Sequence, residues 1–377
     1  MQNIFERIFC LVVLCILCFP VTGCLLPEVK QVFALDENRM LQEFPEASLN
    51  SVFNGNGEFF SEFEEWFNDH FQFRDFLIRT KGEISYRVFN LTGSNGVYVG
   101  DDGYMYYKSV IEHEQITNEL MSEEQVSEIV DKYERIKEYT NSKGKEFLFM
   151  IPPQKNTVFP ERSPEFNVER RMPNQYENIL NKLINSSASE DFIDVIPILR
   201  GAERNHPTYY KTDFHWNGYG ATMAFASVVN ILAEREGLGV LYNDDMYEIY
   251  YNEFQGGQLN NMPLLENWTE RAVFIRKKTA LTASIDENET EGKKLIHYIN
   301  SDTSAPLGCI LLIGDSYTEY MLNSNSGILD MFKEAYFVHL DIAEHAVSEY
   351  IDKVDYVVVE RIETGISYMA QTIDRLL

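Results

Sequence analysis

Residues 309–317 read Cys309-Ile310-Leu311-Leu312-Ile313-Gly314-Asp315-Ser316-Tyr317. The apolar run Cys309–Ile313 has the length of a fully buried strand, and a glycine-led turn stops it. The residues after the turn read as a helix. A strand that runs directly into Gly-Asp-Ser and a helix leaves Ser316 at the carboxyl edge of a sheet, where α/β proteins gather their ligands. The free N–H groups and positive dipole end of that helix suit a developing oxyanion. Gly-Asp-Ser is also a common turn or helix cap, so the tripeptide alone does not define a site. Asp315 adjoins the serine and is better placed to bind neighbouring backbone N–H groups than to act as the acid of a triad.

The pattern around this segment sets the fold class. Phe147–Ile151, bounded by Pro152-Pro153, and the runs Phe192–Leu199, Tyr336–Leu340 and Tyr356–Val359 read as further strands. Helices are expected from Ser122, whose Ser-Glu-Glu-Gln start is a capping box, to near Gly144, over 172–186, and over 218–236. Alternating strands and helices predict an α/β fold: a mostly parallel central sheet with helices on both faces. Val97–Tyr106 alternates about Asp102-Gly103 as a β-hairpin. Residues 58–90 read as helix, with Phe59, Phe60, Phe63, Trp66 and Phe67 at three- and four-residue spacing. Residues 239–295, with the acidic stretch Ser284–Glu291, fit the alternation poorly and read as an insertion in a domain spanning 58–377.

A second segment supplies what Ser316 lacks. Tyr209-Tyr210-Lys211-Thr212-Asp213-Phe214-His215-Trp216-Asn217-Gly218, if extended, sends Asp213 and His215 to the same side. The carboxylate then accepts from His215 Nδ1 and leaves Nε2 as a general base, the base-and-orienter half of a nucleophilic triad. Asn217 is placed to cap the helix beginning at Gly218. An Asp-x-His is often an ordinary surface pair. No second His, Cys or Asp cluster has ligand-like spacing, so no metal is expected, and nothing calls for a cofactor. There is no Gly-x-Ser-x-Gly elbow and no Cys–His signature in the body of the chain.

Composition narrows the partners. Acidic residues outnumber basic ones 59 to 32 in a 377-residue chain of net charge −27, which would repel a nucleic-acid backbone. The same charge disfavours anionic lipid, so attachment to a membrane requires a dedicated anchor. Residues 8–20 supply an apolar stretch of signal-peptide length after Arg7. Val21-Thr22-Gly23-Cys24 looks like a bacterial lipobox, in which Cys24 would be lipidated; the alternative is an uncleaved signal anchor running to Leu26. Residues 25–57 then read as a tether. Either form of the 1–24 segment places the rest outside the cytoplasm, held to the membrane. Cys309 is the one cysteine beyond Cys24, so the folded part has no internal disulfide.

Gly314-Asp315-Ser316, following Thr212-Asp213-Phe214-His215-Trp216, resembles the SGNH-hydrolase-like domain of the alginate O-acetylation proteins and the related DHHW proteins. In that group the Asp-x-His element precedes the Gly-x-Ser element, the reverse of ordinary SGNH esterases. Asn68-Asp69-His70-Phe71-Gln72-Phe73-Arg74, the hairpin, Ile151-Pro152-Pro153-Gln154-Lys155 and Tyr356-Val357-Val358-Val359-Glu360-Arg361 look like landmarks of the same group, so the likeness runs from about residue 60 to the end. Phe214 departs from it, standing where DHHW proteins have their first histidine; between two working residues it should point the other way. The resemblance implies Ser316 as nucleophile, His215 as base, Asp213 as its orienter, and a cell-surface polysaccharide acceptor, with acetyl delivered by a membrane-embedded acyltransferase. Tyr317, Tyr320 and Arg361 are candidate oxyanion or substrate contacts. Three functions stay open on the residues: O-acetyl transfer, hydrolysis by the same triad as a carbohydrate acetylesterase, and a non-catalytic polysaccharide-binding or assembly role.

Overall fold

The computed structural model describes residues 7–11, 13–14, 42–45, 58–70, 74–89, 96–113, 120–164, 174–261, 269–292 and 294–377. The lipobox with Cys24, nearly all of the 25–57 tether, and Phe71-Gln72-Phe73 lie outside the described residues. Among those described, no helix is long and apolar enough to cross a membrane. The chain divides into two compact units, Met1–Ser94 with Pro263–Glu266, and Asn95–Met262 with Asn267–Leu377.

In the first unit the aromatic spacing forms the expected helices, α1 (Glu58–His70) and α2 (Arg74–Phe89). Phe63 stacks on Phe59 and Phe67, its neighbours four residues away on the α1 surface, and Phe44 packs edge-on to Trp66 with centroids 4.8 Å apart.

The second unit opens with the hairpin β1 (Val97–Val99) and β2 (Met105–Tyr107), where Asp102 and Gly103 take the positive φ that a tight reversal needs. Next come α3 (Glu123–Ser142), started by the Ser122–Gln125 capping box, and β3 (Glu146–Met150). After α4 (Gln175–Leu183), the run read as a strand over Phe192–Leu199 is strand only in β4 (Phe192–Ile193). There Asp194 accepts from Ile196 N and caps α5 (Val195–Glu203), so a cap, with Pro197 tolerated in the first turn, turned an ambiguous apolar run into helix. The long helix α6 (Gly218–Arg235) is capped by the Asn217 side chain.

The segment 239–295 proves composite. It contains a separate antiparallel ribbon, β5 (Tyr247–Phe254) with β6 (Glu270–Lys277), and also β7 (Ala283–Ile285), which belongs to the main sheet. The rest of that sheet is β8 (Leu295–Asn300), β9 (Leu307–Gly314), β10 (Phe332–His339) and β11 (Tyr356–Glu360). Its order is β4-β3-β11-β9-β10-β8-β7; β4, β3, β11, β9 and β10 are mutually parallel, and β8 pairs antiparallel at one side.

Alternation along the strands feeds two cores. Leu148, Ile310, Leu312, Phe337 and Val358 face α5 and α6, whereas Phe149, Leu311, Ile313, Val338 and Val359 face α3, α4 and a C-terminal helix α8 (Met369–Leu376). Burial on both faces explains why these strands read as unbroken apolar runs. It also places the end of β9, and the adjoining helix α7 (Ser316–Leu322), in the middle of the sheet edge.

Candidate active site

The turn from β9 into α7 is tightly determined. A Cβ on Gly314 would sit 2.2 Å from Thr318 Oγ1 and 2.7 Å from Glu360 Oε2, so only glycine fits. Asp315 caps α7, with Oδ1 accepting from Tyr317 N and Oδ2 from Ile362 N, both at 3.0 Å. This is the backbone-binding role its position suggested. Glu360, at the end of neighbouring β11, accepts from Asp315 N, Thr318 N and Thr318 Oγ1. Burial, reinforced by the Asp315 charge, pushes the Glu360 carboxyl well above the usual carboxylate range. Ser316 is thereby held half-buried at the first turn of α7, whose leading N–H groups have no intrahelical acceptor.

The Asp213–His215 pair reaches Ser316 by a route other than an extended strand. Residues 211–215 form a bend, closed by a lone antiparallel bridge between Tyr209 and Trp216. Asp213 Oδ1 accepts from both the backbone N–H of His215 at 2.9 Å and its Nδ1 at 2.6 Å. One carboxylate oxygen therefore shapes the bend and fixes the imidazole with Nε2 outward. That atom lies 2.8 Å from Ser316 Oγ. Asp213 and His215 are each only 2% exposed. Burial pushes the Asp213 carboxyl up, but the hydrogen bond and charge of His215, with the N–H groups of His215 and Gln258, outweigh it and hold it below its ordinary value.

The imidazole lies between aromatic rings. Tyr320 stacks on it at 4.4 Å, and Phe214 sits 3.9 Å away at 31°. Phe214 does not turn away as an extended segment would require; the bend folds it back onto its neighbour. Tyr320 also brings its hydroxyl within 3.5 Å of Asp213 Oδ2. Tyr317 is fully buried and donates its hydroxyl to Phe214 O, so its side chain braces the loop. Arg361 packs against Gly365 and lies 3.9 Å from Asp315 Oδ2, which places it behind the cap of α7.

Several residues that support the loop carried no individual role in the sequence. Lys155 is 2% exposed, and its Nζ donates to the carbonyls of Tyr210, Lys211 and Asp213 at 3.1, 2.9 and 2.8 Å. Its burial lowers the ammonium pKa to about 7 against the pull of Glu270 and Asp213. Glu270 on β6 accepts from Lys211 N, Thr212 N and Thr212 Oγ1. Gly257 N donates to Thr212 Oγ1 and Gln258 N to Asp213 Oδ2, both at 3.0 Å. Lys155 follows the Pro152-Pro153 that ends β3, a visible landmark. Gly257, Gln258 and Glu270 lie in the stretch read as an insertion, where nothing in the pattern marked them.

Comparison with known proteins places the chain in a family. Residues 97–330, well over half of the chain, match the family described as ALGX, the SGNH hydrolase-like domain of the acetyltransferase AlgX. Among solved structures, Bacillus cereus PatB1 with a sulfonyl adduct aligns with a TM-score of 0.53 at 14% identity, over 73% of this chain and 96% of that one. A DHHW family protein from Eubacterium siraeum aligns at a TM-score of 0.45 and 14% identity, over 66% of this chain and 89% of the other. The O-acetyltransferase domain of Pseudomonas putida AlgJ aligns at 0.43 and 15% identity, over 74% and 99%. No curated protein matches by sequence. With the family matched across the hairpin, the Asp213–His215 bend and the Ser316 turn, this chain belongs to the AlgX acetyltransferase family of SGNH hydrolase-like domains.

Proposed function

We propose that this protein is an extracytoplasmic, membrane-anchored O-acetyltransferase that acetylates a cell-surface polysaccharide through an acetyl-Ser316 intermediate. The observation that carries the reading is the continuous hydrogen-bonded line Asp213–His215–Ser316, at 2.6 and 2.8 Å. In the first half-reaction His215 Nε2 takes the Ser316 proton as Oγ attacks the carbonyl carbon of an acetyl donor. The oxyanion forms beside the Ser316 N–H at the start of α7. It collapses to acetyl-Ser316 as the donor's alkoxide leaves with the proton from His215. In the second half-reaction His215 deprotonates a sugar hydroxyl, which attacks the acetyl carbon, and Ser316 Oγ leaves and regains its proton.

Asp213 keeps Nδ1–H engaged, so Nε2 is the free basic atom, and its charge stabilises the imidazolium that forms at each proton transfer. A purely structural role for this fold calls for Ser316 and His215 beyond hydrogen-bond reach, and the 2.8 Å separation speaks against it. Lipidation at Cys24, or an uncleaved anchor in its place, would hold the enzyme beside a membrane-embedded acyltransferase that supplies acetyl groups. With a chromogenic acetyl ester as donor, Ser316→Ala should lower turnover by roughly 10⁴-fold or more. Turnover unchanged in that variant would sink the assignment. An oligosaccharide added to the wild type should become acetylated; release of acetate alone would mark an esterase.

A further inference from the structure

A groove of about 340 Å³ runs beside α7, between that helix and the β5–β6 ribbon. Its volume is in the range of small-molecule sites, about 300–1,000 Å³. The ribbon register explains the lining. Tyr250 pairs directly with Phe274, so the two rings share one face and stack with centroids 5.6 Å apart. Val273 and Ile275, at the alternate positions of the ribbon, are buried in the core, and Ile275 also reaches the groove beside Gly218. Tyr320 and Tyr210 line the same groove, Tyr210 stacking on Phe254 of the ribbon, and Asn323 and Asn325 stand exposed in its lining. Tyr320 is one helical turn beyond Ser316, a rise of about 6 Å, and stacks on His215.

We propose that this groove is the acceptor subsite and that its ligand is an uncharged sugar residue of a polysaccharide, not a uronate. The proposal rests on the acyl-transfer reading of Ser316. Aromatic side chains contributed by the ribbon and by α7 suit the C–H groups of a pyranose, and exposed side-chain amides in the lining suit its hydroxyls. Charge selects among sugars. Glu319 is the one carboxylate, and no lysine or arginine stands, among the described lining residues. The guanidinium of Arg276, on the same ribbon, lies over the Tyr250 ring at 5.3 Å and is already paired with Glu248. The described lining thus offers a carboxylated sugar no cation, and a chain of net charge −27 repels one.

The test uses the full-length protein with neutral hexose and uronate tetrasaccharides of equal length, and Tyr250→Ala and Phe274→Ala as variants outside the triad. Tyr250 is 39% exposed, so its truncation leaves the fold intact. The neutral tetrasaccharide should bind in a calorimetric titration and accept acetyl, and each variant should weaken its affinity and raise its KM by about three- to tenfold. Cleavage of a small acetyl ester should stay at the wild-type rate. Tighter binding of the uronate, no binding of the neutral sugar, or affinity unmoved by both variants would overturn the subsite. Absence of acetyl-Ser316 in the wild type would overturn the transferase reading, and the titration would still judge the groove.

Discussion

Gly257→Ala separates the geometry of the site from its chemistry, because it adds one methyl group and touches no titratable atom of its own. A Cβ at this position would lie 2.2 Å from Asp213 Cβ, 2.3 Å from its Oδ2 and 2.6 Å from its Cγ. Favourable carbon contacts begin at about 3.5 Å, so the methyl overlaps Asp213 by more than an ångström. The backbone there does not occupy the left-handed region, so alanine carries no conformational strain of its own. All of the cost passes through Asp213. Either the carboxylate swings away from His215, or the 257–258 backbone lifts and gives up its bonds to Thr212 Oγ1 and Asp213 Oδ2. Overpacking of this kind costs about 1–3 kcal/mol of stability. Displacing a catalytic group by an ångström costs on the order of 10²-fold in rate. The expected result is therefore a folded protein, slightly less resistant to urea, whose kcat for an acetyl ester falls about a hundredfold. Gly201→Ala in α5 is the control, since nothing lies within 4 Å of the added carbon; it should stabilise by about 0.5–1 kcal/mol and leave kcat alone. A Gly257→Ala protein that is folded and as fast as wild type would refute the claim that this backbone fixes Asp213 for the proposed reaction.

Two further substitutions probe the scaffold. Lys155→Met keeps the stem but takes the ammonium donor from the Tyr210 and Asp213 carbonyls, while Lys211 O keeps its bond from Met105 N; because it also relieves a buried charge, the net loss should be on the order of 1–3 kcal/mol. Its kcat should fall while the KM for a small ester holds, and unchanged urea midpoint and kcat would contradict the clamp. Glu360 has a raised folded-state pKa, so the folded chain keeps a proton that the unfolded chain releases above about pH 4.3. Its contribution to stability is therefore largest at low pH and declines as pH rises. Glu360→Gln has no proton to lose, so its melting temperature should gain on that of the wild type between about pH 4 and pH 7; a gap that stays constant would refute the assignment.

The sheet was legible because its strands are buried on both faces, which leaves unbroken apolar runs such as Cys309–Ile313 and Tyr356–Val359 that periodicity finds without help. Ser316 was legible because a strand end, a glycine with no room for a Cβ and a helix start coincide in three residues. Phe192–Leu199 misled because an apolar run of that length suits strand or helix equally, and the Asp194 cap decides between them. Asp213 and His215 were correctly paired for the wrong backbone. The carboxylate bonds the His215 N–H as well as Nδ1, which bends the chain and folds Phe214 onto the imidazole. Gly257, Gln258 and Glu270 were invisible because they act from the ribbon segment through backbone N–H groups and one carboxylate, with no motif among them.

The most direct measurement is peptide-mapped mass spectrometry of the protein, quenched in acid after brief exposure to excess chromogenic acetyl ester. Acyl transfer through the triad predicts a single acetyl group on the peptide bearing Ser316, absent from Ser316→Ala and discharged when oligosaccharide is added. Ester cleavage with the acetyl group on any other residue, or undiminished in Ser316→Ala, would contradict it.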